Sequence, residues 1–266
     1  DWQNDLQLDP KQLLTAGLYF AREHTSSSVF GSAFADDSNV KALYAQDDVS
    51  SGAHRVLLAA RYTDHDAFGG HTTWDAEYGY HFSPRTRFSA AVGTAFRAPD
   101  ATDRFGFGGD PNLQPETSRN IELGLHHQLA SRQSLALSMF DNRIKNLIEY
   151  DIASNKLMNI GRARIRGIEA SYDIQAQPWG ARIEAIAQNP HDEANDEPLA
   201  RRAKRTLTVS LFYDAGRYRM GADWLATSKR KDSPFSDGYN VGYGLLTLTA
   251  QTHLSKEWTL QGRLEN

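Results

Sequence analysis

Apolar residues in this chain recur at every second position, segment after segment, and the segments are joined alternately by short turns and long polar loops. In Trp74-Asp75-Ala76-Glu77-Tyr78-Gly79-Tyr80-His81-Phe82 the even positions are aromatic or Ala. The odd positions are acidic, small or imidazole. Ile121, Leu123 and Leu125 alternate with Glu122, Gly124 and His126, and Ile168, Ala170, Tyr172 and Ile174 with Glu169, Ser171 and Asp173. Leu207 to Tyr213 and Trp258 to Leu264 repeat the pattern. A helix would bring apolar residues round every third or fourth position, so these segments read as strands. Short turns are expected near Leu8–Lys11, Ser50–Gly52, Ser83–Arg85, Ala130–Arg132, Gln177–Gly180, Asp214–Arg217 and Ser255–Glu257. Long loops are expected at Thr25–Asp36, Thr63–Gly70, Arg97–Glu116, Tyr150–Lys156, Asn189–Lys204 and Lys229–Asn240. Strict alternation of the two kinds sends every long loop to the same end of about 14 antiparallel strands, each long enough to cross a bilayer at a tilt.

Two architectures fit repeated hairpins. In a soluble sandwich or propeller the apolar face is the core, whereas in a membrane barrel it meets lipid and the polar face lines a wet interior. A mean hydropathy of −0.57 suits either, because a spanning strand hides its apolar residues in alternate positions. There is no run of 18 apolar residues, hence no transmembrane helix. The segregation of loops to one end favours the barrel. So does the gathering of Tyr80, Phe82, Tyr172, Tyr213, Tyr218 and Trp258 beside the short turns, where an interfacial girdle would lie; Trp224, nearer mid-strand, fits less well. The 266 residues carry a net charge of −4, which gives no basic footprint for nucleic acid, and no cysteine, which removes disulfides, thiolate metal sites and thiol nucleophiles. The N-terminus has no basic and apolar run of a signal peptide, as in a mature chain or a fragment, and the C-terminus, Trp258 to Asn266, stops in mid-pattern without a turn, which favours the expectation of a fragment.

The stretch Phe96 to Asn120, FRAPDATDRFGFGGDPNLQPETSRN, holds Arg97-Ala98-Pro99 and Gly109-Asp110-Pro111-Asn112-Leu113-Gln114-Pro115-Glu116. With Asn146-Leu147-Ile148-Glu149-Tyr150-Asp151 and Asn159-Ile160-Gly161-Arg162-Ala163-Arg164-Ile165-Arg166-Gly167, it resembles the signatures of TonB-dependent outer-membrane receptors. Pro198-Leu199-Ala200-Arg201-Arg202-Ala203-Lys204 and the segment Arg61 to Phe82 are most similar to the vitamin B12 (cobalamin) branch. The resemblance implies an all-β fold: an antiparallel transmembrane β-barrel segment, about 14 of roughly 22 strands, with short periplasmic turns and long extracellular loops. It implies that residues 1–266 are a partial barrel domain from which the plug domain and the closing strand are absent. The implied function is TonB-dependent transport of cobalamin across the bacterial outer membrane. A ferric-siderophore receptor is the first alternative, a plugless, passive porin-like barrel the second, and a soluble all-β binding protein the third. Implied partners are cobalamin or another large nutrient chelate, TonB acting through the plug, and outer-membrane lipid and lipopolysaccharide. No cofactor is implied.

Ligand contacts are expected from the long-loop side: Arg104, Phe105, Phe107, Asp110, Asn112, Tyr150, Asn155, Arg201, Phe235 and Tyr239. A large corrinoid calls for many adaptable contacts, which aromatic loops carrying Asn and Arg supply. Pro99, Pro111 and Pro115 are expected to stiffen the stems of the Arg97–Glu116 loop, and Gly106, Gly108 and Gly109 to leave its tip able to move. Gly106-Phe107-Gly108-Gly109 is no phosphate cradle, since no Lys-Ser/Thr follows and no helix opens. The acidic runs His191–Asp196 and Asp64–Asp66 offer oxygens of the kind calcium takes, but they read first as solvated loop tips. His126 and His127 point to opposite faces of a strand and make no metal pair, so no metal site is expected. No catalytic grouping is visible, and the chain does not read as an enzyme. Arg162, Arg164 and Arg166 share a face and are expected to line the wet wall, pairing with Glu169 and Glu184; meeting ligand or lipopolysaccharide phosphates is the other reading.

Overall fold

The computed structural model describes all residues except 30, 152–153 and 234–235. In chain order the strands are β1 (Trp2–Asp9), β2 (Gln12–Val29), β3 (Ser32–Ser51), β4 (His54–His65), β5 (Gly69–Ser83) and β6 (Thr86–Arg97). A short helix, α1 (Ala101–Phe105), leads to β7 (Glu116–Ala130), β8 (Gln133–Asp151), β9 (Lys156–Ala176) and β10 (Trp179–Asp192). Then come β11 (Glu197–Pro198), β12 (Arg205–Asp214), β13 (Tyr218–Thr227), β14 (Arg230–Ser233), β15 (Ser236–Asn240), β16 (Tyr243–His253) and β17 (Thr259–Glu265). Fourteen strands pair in one antiparallel path, β1 through β10 and then β12, β13, β16 and β17; β11 adds to β10, and β14–β15 is a separate hairpin. All seven expected short turns are present, at the ends of β1, β3, β5, β7, β9, β12 and β16.

Register fixes two chemically opposite faces. Asp173, Arg182, Ser210, Asp223 and Thr247 are ladder partners across five strands, and the adjacent row is Tyr172, Ile183, Val209, Trp224 and Leu246. A slip of one residue in any pairing would exchange the rows, so the alternation in sequence is what pins the register. On the polar face a concavity of about 440 Å³ is shared by six strands, with Arg87, His126, Glu169 and Glu184 in its wall. His127 takes the other face, hydrogen-bonded to the Thr86 hydroxyl at 2.8 Å.

The apolar face is uncovered. Phe82, Trp179, Trp258 and Leu264 are each more than 60% exposed, and such a face is far too large for a water-soluble monomer. Its width agrees with a hydrocarbon layer: on β7 it runs from Ile121 to Leu129, close to the ~9–11 residues that cross at a tilt. At the turn end aromatic rings pair, Tyr80 with Phe82 and Trp179 with Tyr213, both with centroids 4.7 Å apart.

Several strands overshoot this band at the loop end, which changes the loop assignments. The Thr25–Asp36 segment is continuous ladder, from Thr25↔Asp36 to Val29↔Ser32. The Thr63–Gly70 segment is ladder to His65↔Gly69, and most of Lys229–Asn240 is the β14–β15 hairpin. Backbone pairing needs no apolar side chain, and beyond the lipid band both faces meet water. The run Thr25-Ser26-Ser27-Ser28 therefore keeps the strand while losing the alternation that betrays one.

Candidate functional site

The Arg97–Glu116 segment is a true loop, and the residues at its ends lock it shut. Arg97 donates from Nε and Nη2 to the two carboxylate oxygens of Glu116, both at 2.9 Å, and from Nη1 to Asp103 Oδ2 at 3.0 Å. Glu116 Oε1 also accepts the Ile148 amide at 2.8 Å. One carboxylate thus joins β6, β7 and β8 above the apolar band. Burial alone would raise the Glu116 carboxyl; the Arg97 and Ile148 hydrogen bonds outweigh it and hold the group below its ordinary range. The lock therefore contributes its full stability above the unfolded carboxyl pKa of about 4.3 and loses it as pH falls through the lower folded value.

A second clasp lies beside it. The Asn159 side chain accepts the Gln114 amide at 2.7 Å and donates to the carbonyls of Gln114 and Asn146 at 2.9 and 2.8 Å. Asn159→Ala is expected to cost about 1–2 kcal/mol locally and to speed hydrogen exchange at the Gln114 amide roughly 10-fold, with distant strands unchanged. Equal exchange in the two proteins would show the clasp to be idle.

Between these clasps the chain folds back on itself. Asp100 caps α1, accepting the Asp103 amide at 2.7 Å while Asp103 reaches back to the Asp100 amide at 3.3 Å. Arg104 sits 3.7 Å from Asp36 and over the rings of Phe105 and Phe68, with centroid distances of 4.5 and 5.4 Å. Phe105 lies against Phe34, 6.3 Å between centroids, and its carbonyl accepts the Ser32 hydroxyl. The loop thus leans on the β2–β3 hairpin. On the other side the Leu157 amide donates to the Gly108 carbonyl at 2.6 Å, tying the tip to the β8–β9 hairpin.

The glycines serve contact here rather than motion. At Gly108 (φ +68°) a Cβ would stand 2.6 Å from the Tyr150 ring, and at Gly109 it would stand 2.9 Å from the Arg104 carbonyl. Asp110 accepts both the backbone and side-chain nitrogens of the exposed Asn112, at 2.8 and 3.0 Å. Tyr150 donates to Asn155, itself at φ 56°. Phe107, Asp110, Asn112, Tyr150 and Asn155 thus come from the loop and the hairpin it touches, and Phe107 is 59% exposed.

Arg201 and Tyr239 belong to a separate group. The Arg201 amide donates to the Lys231 carbonyl, Lys231 pairs with Glu197 at 2.6 Å, and Lys229 lies over the exposed Tyr239 ring. Phe235 lies outside the described residues. Arg202 is 3.7 Å from Glu149, whose carboxyl is raised first by burial and then, against the Arg202 charge, by Asp192.

Under α1 a cavity of about 390 Å³ is walled in part by Glu23, Asp36, His65, Asp100 and Arg104. The Arg104 Nε is buried without a hydrogen-bond partner among the described residues. The acidic run His191–Asp196 closes on itself: Asp192 accepts the Ala194 amide and the Asn195 side chain, and His191 meets Asp196 at 2.9 Å. Asp66 likewise accepts the Asn39 amide. No group of three or more metal-ligating side chains occurs among the described residues. Arg97, Glu116, Asn159, Glu149 and Asp36 were not among the expected site residues; the first four stand in the quoted signatures, and that position was the available signal.

All 266 residues match the family model described as TonB dependent receptor-like, beta-barrel. Solved structures with the same fold include a mutant of the ferric enterobactin receptor PfeA from Pseudomonas aeruginosa, 18% identical with a TM-score of 0.83, over 99% of this chain and 47% of that one. The FrpB iron transporter from Neisseria meningitidis is 16% identical with a TM-score of 0.77, over 99% of this chain and 49% of that one. The copper transporter OprC is 14% identical with a TM-score of 0.81, over 99% and 48%. This chain therefore spans about half the length of these proteins. The long antiparallel sheet, its wet and greasy faces and the match along the whole length of the chain agree: the chain belongs to the TonB-dependent receptor β-barrel family of the bacterial outer membrane.

Proposed function

We propose that this chain is a ligand-contacting part of the barrel of a receptor that takes up cobalamin, driven by TonB acting on a plug domain. The observation that carries the choice of cargo is the cavity beneath α1. Glu23, Asp36 and Asp100 face it against one guanidinium, Arg104, which is already paired with Asp36. Such a cavity repels a multiply anionic chelate and tolerates a ligand rich in neutral amides, and the unpartnered Arg104 Nε is a donor that an amide carbonyl satisfies. The similarity of Arg61–Phe82 and Pro198–Lys204 to the cobalamin branch points the same way. Arg104, Phe105, Phe107, Asp110, Asn112, Tyr150, Asn155, Arg201, Phe235 and Tyr239 are the proposed contacts. The exposed Arg201, with Lys229 and Arg230 stacked on Tyr239 and Tyr243, favours a ferric chelate as the second reading. Binding of cyanocobalamin and of a ferric catecholate to the intact receptor separates the two. Saturable cobalamin binding at nanomolar to micromolar concentration, weakened at least 10-fold by Arg104→Gln, is expected; binding of the ferric chelate alone overturns the assignment.

A further inference from the structure

The arginines of β9 do not line the wet wall. Arg162, Arg164 and Arg166 carry the same parity as Ile168, Ala170 and Tyr172, and the register puts them on the lipid-side face. Neighbouring strands add to them on that face. Arg119 is opposite Arg143, Arg143 is opposite Arg164, and Lys145 is opposite Arg162. Three like-charged pairs therefore stand directly across the ladder in one patch, an arrangement that destabilises a sheet unless something anionic fills it. The protein supplies little. Asp141 binds Arg164 and lies 3.7 Å from Arg143, and Glu193 is 4.0 Å from Arg164. Arg119, Lys145, Arg162 and Arg166 are exposed and have no carboxylate partner among the described residues.

The patch has a defined height. Ladder partners two to four residues nearer the turns are Ile121↔Asp141, Leu123↔Met139 and Met139↔Ile168, so the cations begin where the apolar band ends, at the loop end. In an outer-membrane barrel that level is the headgroup region of the outer leaflet, and guanidinium groups are suited to bind phosphate oxygens in pairs. We propose that this face of β7, β8 and β9 is a binding site for the phosphate groups of the phosphorylated glycolipid that forms the outer leaflet. The acyl chains would lie along Ile121, Leu123, Met139 and Ile168. The proposal rests on the orientation of the barrel and is independent of which nutrient the receptor carries.

The test is titration of the delipidated intact receptor in detergent with lipid A, read by native mass spectrometry. Lipid A is expected to bind at least 10-fold more tightly than lipid A stripped of phosphate, and the combined change Arg119→Ala, Arg143→Ala, Arg162→Ala to erase that preference. Arg55→Ala with Arg182→Ala, on the wet face, leaves it intact. Should the triple variant fail to give a folded, heat-modifiable barrel, Arg143→Gln with Arg162→Gln serves in its place and is expected to lose at least 3-fold. Equal affinity for the phosphorylated and stripped lipids, unchanged binding by the cation variants, or full displacement of lipid A by millimolar inorganic phosphate would each overturn the proposal; the last would mark a plain anion site.

Discussion

Glu116→Ala in the intact receptor is expected to open the Arg97–Glu116 loop at its base. The substitution strips Arg97 of two hydrogen bonds and leaves the Ile148 amide, on a third strand, without its acceptor. A hydrogen bond to a charged group is worth ~1.5–3 kcal/mol, but Arg97 is half exposed and its share is screened, so about 2–3 kcal/mol of local stability is lost. That corresponds to roughly 30- to 160-fold faster hydrogen exchange at Ile148 and Gln114 and to new proteolysis between residues 98 and 115. Glu116→Gln keeps one oxygen to accept Ile148 and one Arg97 hydrogen bond but loses the charge and the second Arg97 bond, so its effect is expected to be smaller, about 10-fold. Lowering the pH beneath the ordinary carboxyl range and through the depressed folded value should reproduce the Gln phenotype in the native protein, because only then does the carboxyl take up its proton. If exchange at Ile148 is the same in Glu116→Ala as in the native protein, the loop is held by something else.

Gly108→Val attacks the other end of the same loop. At φ +68° a β-branched residue is strained by more than the ~1–2 kcal/mol that the left-handed region costs an ordinary one. Here the new Cβ also meets the Tyr150 ring at 2.6 Å and the Asn155 carbonyl at 3.3 Å. The tip must leave the β8–β9 hairpin, separating Phe107 from Tyr150 and Asn155, and ligand affinity is expected to fall roughly 10- to 100-fold, ~1.4–2.7 kcal/mol, with the barrel intact. Gly52→Val is the control. Gly52 also has positive φ, but it lies in a turn at the opposite end with nothing within 4 Å of a Cβ. It carries the dihedral strain alone and should leave binding unchanged. Equal loss in both variants would trace the effect to general destabilisation.

The strands and their turns were legible because lipid-facing residues must be apolar and their wet neighbours need not be, so the period of two is written wherever the sheet crosses the membrane. Above that level the rule lapses. Thr25-Ser26-Ser27-Ser28 pairs residue for residue with Ala33 to Asp36, yet nothing in its side chains distinguishes it from a loop. The arginines of β9 failed for a different reason. Their parity with Ile168 gave the face, but charge was taken to mean the wet side, and that inference ignores where along the strand the hydrocarbon stops. The signature around Arg97 and Glu116 marked the family without revealing its job, since two residues 19 apart in sequence show no sign of meeting until the strands are paired. Arg104 and Asp36, 68 positions apart, were beyond any local reading.

Few hydrophobic side chains are buried within this sheet. Three of them, Leu147, Ala163 and Leu199, form one cluster with Ile144, Ile160 and Ile165 around the loop-end halves of β8 and β9, and Leu113 of the β6–β7 loop is buried as well. Elsewhere the wall borrows its order from the phases it separates. The outward end has a small interior of its own, roofed by the loops and clasped by Glu116 and Asn159. Changing the thickness or the chemistry of the surrounding detergent should therefore strain the crossing strands while the loop platform keeps its shape, much as a small soluble domain would if seated on a flexible collar.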